Sequence, residues 1–213
     1  MSRAIFLGSF NPPHKGHVDC IQSVVDSGIM KELNIDKIHV IPCWQNPNKN
    51  KFTVPFIKRY QMVLYMFGDL IRDGIVCPDD IENHIYPNYT CTLIDYFNTG
   101  KDAYINKNFE GFWWIITIET IKELMEQKWK CSKELLYDNN FIVVGKDEEE
   151  WNNLLNWFWN YKSTICAKFV KLNSIHDFHS TQLREKIKNG ESIEDETCFE
   201  VNNYIKDMNL YKE

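Results

Sequence analysis

Two imidazoles, an ammonium group and two glycines fall within ten residues near the start of the chain, in Gly8-Ser9-Phe10-Asn11-Pro12-Pro13-His14-Lys15-Gly16-His17. At neutral pH an imidazole nitrogen donates a hydrogen bond to a phosphate oxygen in a way few other side chains can. Gly8 and Gly16 lack a Cβ, so the backbone there can approach a phosphate closely or take positive φ. Pro12 and Pro13 stiffen the turn and remove donors that would need partners. The apolar run Ala4-Ile5-Phe6-Leu7 in front reads as a buried strand, and the residues behind it as a helix. Unpaired N–H groups at a helix start favour anions, so the assembly suits a polyphosphate. The plainer reading is an ordinary strand-to-helix turn in which Gly16 relieves crowding while His14 and His17 cap the helix or face solvent.

A second stretch, His179-Ser180-Thr181-Gln182-Leu183-Arg184, carries the same kind of chemistry. Ser180 or Thr181 is a good N-cap, Gly190 marks the far end of a helix, and Arg184 falls one turn inside it. Two hydroxyls and a guanidinium at a helix start form a second anion site, fit for the β- and γ-phosphates of a nucleotide. A plain capping motif with a surface arginine is the alternative.

The tetrad His14-Lys15-Gly16-His17 resembles the His-x-Gly-His signature of the nucleotidyltransferase superfamily, and the preceding Gly8–Pro13 resembles the loop of nicotinate and nicotinamide mononucleotide adenylyltransferases. The resemblance continues through Asn46-Pro47-Asn48-Lys49, Arg59-Tyr60-Gln61-Met62, Asn88-Tyr89-Thr90-Cys91-Thr92-Leu93, the segment Trp129 to Leu135-Leu136, and Ser180-Thr181 with Arg184. It implies His14 and His17 as catalytic residues. It further implies an ATP site of Gly8, Ser9, Phe10, His14, Gly16, His17, Glu119, Ser180, Thr181 and Arg184. The mononucleotide site it implies is Asn11, Lys49, Tyr89, Thr90 and Trp129, with the tryptophan stacked on the pyridine ring. Lys49 also reads as a solvated lysine, Thr90 as a helix cap, Trp129 as packing, and Glu119 as a complement to a helix dipole. Where the family has Gly-x-Asp after the fourth strand, this chain has Thr117-Ile118-Glu119, which implies a reshaped pocket. Tyr204-Ile205 and Leu210-Tyr211 match the family's C-terminal ending and read as core packing.

The activity implied is transfer of an adenylyl group from ATP to nicotinate or nicotinamide mononucleotide, with Mg²⁺ arriving on ATP and no dedicated protein ligands for it. The alternatives are a sister nucleotidyltransferase using phosphopantetheine or a polyol phosphate, and a non-catalytic nucleotide-binding protein. The partners expected are the two nucleotides, with no nucleic acid and no membrane, and a homo-oligomer is compatible with the resemblance.

Such residues need a scaffold, and the 213 residues are enough for one α/β domain with a sizeable core. A formal net charge of −6 argues against an extended nucleic-acid surface and confines positive potential to a pocket. Seven cysteines, none closer than 14 residues to the next, show neither Cys-x-x-Cys nor zinc-ligand spacing. They read as reduced thiols of a cytoplasmic protein, most of them core fillers. The longest apolar runs, such as 112–116, are far too short to cross a bilayer.

Strand-like and helix-like segments alternate, which predicts a doubly wound, Rossmann-like parallel sheet in a single domain over 1–213. The helical part from about 178 to 213 is expected to complete the ATP site. The strands predicted are 4–7, 37–42, a short 81–84, 112–118, 141–144 and 167–172. The helices predicted are 16–27, 55–73, 90–97, 119–128, 146–161, 181–189 and 197–208. A doubly wound sheet binds its ligand beyond the carboxyl ends of its strands, where the Gly8–His17 turn falls.

Overall fold

A computed structural model describes residues 2–45, 54–84, 89–98, 111–160, 165–173 and 178–212. Lys49 and the Asn46–Lys49 loop lie outside the described residues.

Six strands form one parallel sheet: β1 Ser2–Gly8, β2 Ile35–Pro42, β3 Val76–Pro78, β4 Phe112–Thr117, β5 Asn140–Gly145 and β6 Cys166–Lys171. Their order, β3-β2-β1-β4-β5-β6, reverses direction at β1 and β4, the place where a doubly wound sheet opens a crevice. The predicted doubly wound α/β architecture is the observed one. The inner strands carry the apolar, β-branched residues that a sheet covered on both faces requires, as in Phe141-Ile142-Val143-Val144, all buried.

The helices are α1 Lys15–Asp26, α2 Ile29–Glu32, α3 Phe56–Met66, α4 Gly68–Arg72, α5 Thr90–Asn98, α6 Ile118–Met125, α7 Ser132–Asp138, α8 Glu148–Asn160, α9 Ser180–Lys188 and α10 Phe199–Asp207. Two hydrophobic cores sandwich the sheet. Ile21 and Val24 of α1, Met62 and Val63 of α3, Leu183 of α9 and Val201 of α10 cover one face. Leu93 of α5, Ile121 of α6, Leu135 of α7 and Trp151 of α8 cover the other. Side chains alternate between faces along a strand, so β1 sends Ala4 and Phe6 into the first core and Ile5 into the second. Among the described residues no helix is long and apolar enough to cross a membrane.

The third strand is not where the sequence predicts it. Residues 81–84 are a single 3₁₀ turn, because the Asp79 carboxylate accepts the backbone N–H of Ile81 at 2.9 Å and the Asp80 carbonyl that of Asn83 at 2.8 Å. An aspartate bonding its own backbone two residues on captures the chain in a turn before a ladder can form. The strand is instead the three-residue β3, at the edge of the sheet, where Pro78 is tolerated. The single helix predicted over 55–73 is two, broken at Phe67 between α3 and α4. The short helices α2 and α7 have too few residues to declare a period and were not predicted.

Candidate active site

The turn after β1 is built by close approaches that only glycine permits. A Cβ on Gly8 would lie 2.8 Å from the Phe10 ring, and one on Gly16 would lie 3.1 Å from His14 Nδ1. Phe10, in the left-handed region at φ 44°, drives its ring wholly into the core. There it meets Phe6, Phe67 and the His17 imidazole edge-on, with centroids 5.7, 6.0 and 5.0 Å away. The Phe10 side chain is therefore the floor beneath His17. The peptide bond from Asn11 to Pro12 is cis.

His14 caps α1 from an extended backbone, and no acidic residue occupies the first turn, so the positive end of the helix dipole is left uncompensated. The two imidazoles lie with centroids 3.8 Å apart. His17 Nδ1 accepts the backbone N–H of His14 at 3.1 Å. That bond places the His17 proton on Nε2, the nitrogen left to donate outward. His14 Nδ1 is buried with no hydrogen-bond partner among the described residues. Burial, followed by repulsion from His17 and His179, lowers the His14 pKa from 6.5 to about 2. Burial lowers that of His17 to about 4. Both rings are neutral at physiological pH in the nucleotide-free protein.

The C-terminal stretch is docked on this turn. Ser180 Oγ donates to the Pro12 carbonyl at 2.9 Å. Arg184 donates one guanidinium nitrogen to the Asn11 carbonyl at 2.8 Å and another to Thr181 Oγ1 at 3.0 Å. The helix starts one residue earlier than the capping argument predicts, with His179 rather than Ser180 or Thr181 at the cap, and Ser180 spends its hydroxyl on the neighbouring turn. Phe178 closes the joint edge-on to His14 at 6.4 Å. Lys15 is drawn to the same end of the chain, its Nζ donating to the Asp195 carbonyl at 2.7 Å.

Two clamps were not read as functional in the sequence. Arg59, wholly buried on α3, donates to the carbonyls of Ser9 at 2.7 Å, Trp44 at 2.8 Å and Val54 at 3.2 Å, tying the turn after β1 to the β2–α3 connection. Tyr211, assigned to core packing alone, donates its hydroxyl to Asn11 Oδ1 at 2.8 Å. Asn11 is itself buried, so its side chain serves the turn. An arginine followed by an apolar helix, and a tyrosine at the chain's end, carry no sequence signal of these partners.

A cavity of about 310 Å³ opens beyond the ends of β1, β2 and β4. Gly8, Ser9 and His17 line one side, and Tyr89, Thr90 and Trp129 line another, so the structure brings six of the predicted residues to one space. His14, Gly16, Asn11, Phe10 and the α9 residues stand behind the turn or beside it, outside that lining. Thr117 lines the cavity and caps α6, its hydroxyl accepting the N–H of Thr120 at 3.3 Å. Glu119 is exposed on the first turn of α6, outside the lining. Trp129 Nε1 donates to Glu123 Oε2 at 2.8 Å, and Lys130 Nζ lies 4.1 Å from the centroid of the Tyr89 ring. Glu123, to which the sequence reading gave no role, lines the cavity, and so does Lys130, one of the two lysines flanking Trp129 that suit an acidic substrate. Among the described residues, no group of three or more His, Cys, Asp or Glu side chains is gathered to hold a metal ion.

Residues 5–186 match the model of the family described as cytidylyltransferase-like. The chain belongs to that family, and it is a nucleotidyltransferase. It is 30% identical over 203 residues to a protein of Fusobacterium nucleatum named probable nicotinate-nucleotide adenylyltransferase, with 91% of each chain covered. A protein of the same name from Clostridium novyi is 26% identical over 99% of this chain and 98% of its own length. The fold is shared with the nicotinic acid mononucleotide adenylyltransferase of Plasmodium falciparum solved in complex with NaAD. That likeness has a TM-score of 0.70 and 20% identity, and covers 99% of this chain and 97% of the other.

Proposed function

We propose that this chain transfers the adenylyl group of ATP to the phosphate of nicotinate mononucleotide, releasing pyrophosphate and forming nicotinate adenine dinucleotide in cytoplasmic NAD biosynthesis. One observation carries the reading: a phosphate-binding corner at Gly8, Ser9 and His17 and an aromatic, hydroxyl-bearing wall at Tyr89, Thr90 and Trp129 face the same cavity. A phosphate oxygen of the mononucleotide attacks the α-phosphorus of ATP. The new P–O bond forms as the bond from the α-phosphorus to the bridging oxygen breaks, and pyrophosphate leaves with the electron pair. Such an in-line displacement needs alignment and neutralisation of charge rather than a protein nucleophile.

His17 donates from Nε2 to an α-phosphate oxygen, and His14 is the second imidazole of the pair. Backbone groups of Gly8, Ser9, Phe10 and Gly16 line the path of the triphosphate, and Ser180, Thr181 and Arg184 hold the departing pyrophosphate. Glu119 takes the ribose hydroxyls. Magnesium enters as part of the MgATP substrate, held by phosphates and water. On the acceptor side the pyridine ring stacks on Trp129, Tyr89 and Thr90 receive its carboxylate, Lys49 completes the mononucleotide site, and the buried Asn11 contributes by holding the turn beside it. The Lys130 ammonium beside Tyr89 supports a preference for the acid, because a cation there favours a carboxylate over a neutral carboxamide.

Pyrophosphate release from ATP offered with nicotinate mononucleotide, nicotinamide mononucleotide or phosphopantetheine tests the reading. Turnover with the nicotinate form at a kcat/KM about tenfold or more above the amide is expected. Turnover with phosphopantetheine alone, or with none of the three, overturns it.

A further inference from the structure

Two cysteines meet directly behind the acceptor wall. Cys91 follows the cavity-lining Thr90 in the first turn of α5, and Cys131 follows the cavity-lining Lys130 and caps α7. Their sulfurs stand 2.8 Å apart although 40 residues separate them along the chain. A covalent S–S bond of about 2.05 Å needs less than about 1 Å of further approach. Both are free thiols, half-buried rather than sealed in the core like Cys20, whose thiol is pushed up to about 12 by burial. The two segments already touch at a second point, where the Lys130 ammonium lies over the Tyr89 ring.

We propose that Cys91 and Cys131 are a modification site, forming a reversible disulfide in exchange with a low-molecular-weight disulfide such as oxidised glutathione, and that this bond restricts the acceptor side of the cavity. The Cys91 sulfur, which accepts the hydrogen bond from Cys131, attacks the small disulfide. The small disulfide's S–S bond breaks, one small thiol leaves, and a mixed disulfide remains on Cys91. Cys131 gives up its proton and displaces the second small thiol, closing the protein disulfide. Two protein thiols and one small disulfide become one protein disulfide and two small thiols, so the electrons balance without another oxidant. The hydrogen bond to Cys91 pushes the Cys131 thiol up to about 11, which makes Cys131 the resolving partner rather than the first attacker.

Bond formation draws the Trp129 turn toward α5. Its effect on turnover rests on the acceptor reading above, whereas the bond itself is read by mass. The intact protein is equilibrated with graded ratios of oxidised to reduced glutathione, its free thiols are alkylated, and its peptides are mapped. A Cys91–Cys131 cross-linked peptide is expected, replaced by a glutathione adduct on the remaining thiol in Cys91→Ser or Cys131→Ser. The oxidised protein should show a KM for nicotinate mononucleotide raised at least about threefold, an unchanged KM for ATP, and recovery on reduction. Separate glutathione adducts without the cross-link, or a cross-link that leaves the mononucleotide KM where it was, overturn the proposal. A cross-link in a protein inactive toward nicotinate mononucleotide in its reduced form counts against the acceptor reading and the kinetic effect built on it, and leaves the bond itself standing.

Discussion

The turn that carries His14 and His17 is gripped from several sides, by Arg59 on the Ser9 carbonyl, Arg184 and Tyr211 on Asn11, and Ser180 on Pro12. The turn that carries Trp129 meets the start of α5 through the Lys130 and Cys131 side chains, and Trp129 itself is held by local partners, with Ser132 Oγ accepting its N–H at 3.1 Å and exposed Glu123 accepting its indole N–H. Two residues in the left-handed region, Gln127 and Cys131, flank it. The difference matches the roles proposed for the two sides. Phosphoryl transfer is lost when donors sit an ångström out of place, so its corner is fixed before substrate arrives. A flat ring stacked on an indole tolerates more slack.

The largest effect should come from the rigid side. His17→Ala is expected to lower kcat by about 10²–10³-fold while KM for ATP moves by only a few-fold, measured by steady-state pyrophosphate release. An unaltered kcat breaks the assignment of His17. On the slack side, Trp129→Ala should raise KM for the mononucleotide about tenfold with little change in kcat, and Trp129→Phe should recover most of the loss. A change in the KM for ATP alone would put the ring elsewhere.

Tyr211→Phe separates clamp from packing. It keeps the ring and removes the hydroxyl, leaving the buried Asn11 Oδ1 without that donor at a cost of about 1–3 kcal/mol in urea unfolding. A neutral substitution would mean that the ring alone holds the C-terminus. At neutral pH the smallest effect is electrostatic. In the nucleotide-free protein His14 and His17 titrate at about 2 and about 4, below the usual imidazole value near 6.5. As pH falls below about 6.5 the unfolded chain takes up protons that the native rings refuse, so stability drops progressively, down to about pH 4 through His17 and on to about pH 2 through His14. Above about 6.5 these two residues add no pH dependence. Proton NMR of the two rings should show flat shifts from about pH 6 to 8, and an inflection in either within that range contradicts the burial argument.

What the sequence made legible was local and periodic. The apolar run before Gly8, the two prolines and the histidine spacing announce a strand, a turn and a helix start, and β1 and α1 are there within a residue or two. The doubly wound parallel sheet follows from alternation of elements, since parallel strands joined by helices have few ways to wind. What stayed hidden were partners far apart in the chain. Nothing around Arg59 announces three carbonyls from two connections, the Ser9 one 50 residues away, and Tyr211 reads as apolar filling until Asn11 is beside it, 200 residues away. Cys91 and Cys131 looked like unrelated thiols because no period connects two loops that meet only in the fold. Residues 81–84 misled because four residues are too few to show a period, while the Asp79 carboxylate decides for a turn.

The central claim is that one cavity binds both halves of the dinucleotide, the phosphates at the His17 corner and the pyridine ring at the Trp129 wall. A crystal structure with nicotinate adenine dinucleotide bound tests it most directly. The account predicts the bridging phosphates within hydrogen-bond distance of His17 Nε2 and the pyridine ring stacked on Trp129. A dinucleotide bound away from this cavity, or one whose phosphates contact neither His17 nor the Gly8–Ser9 backbone, would contradict it.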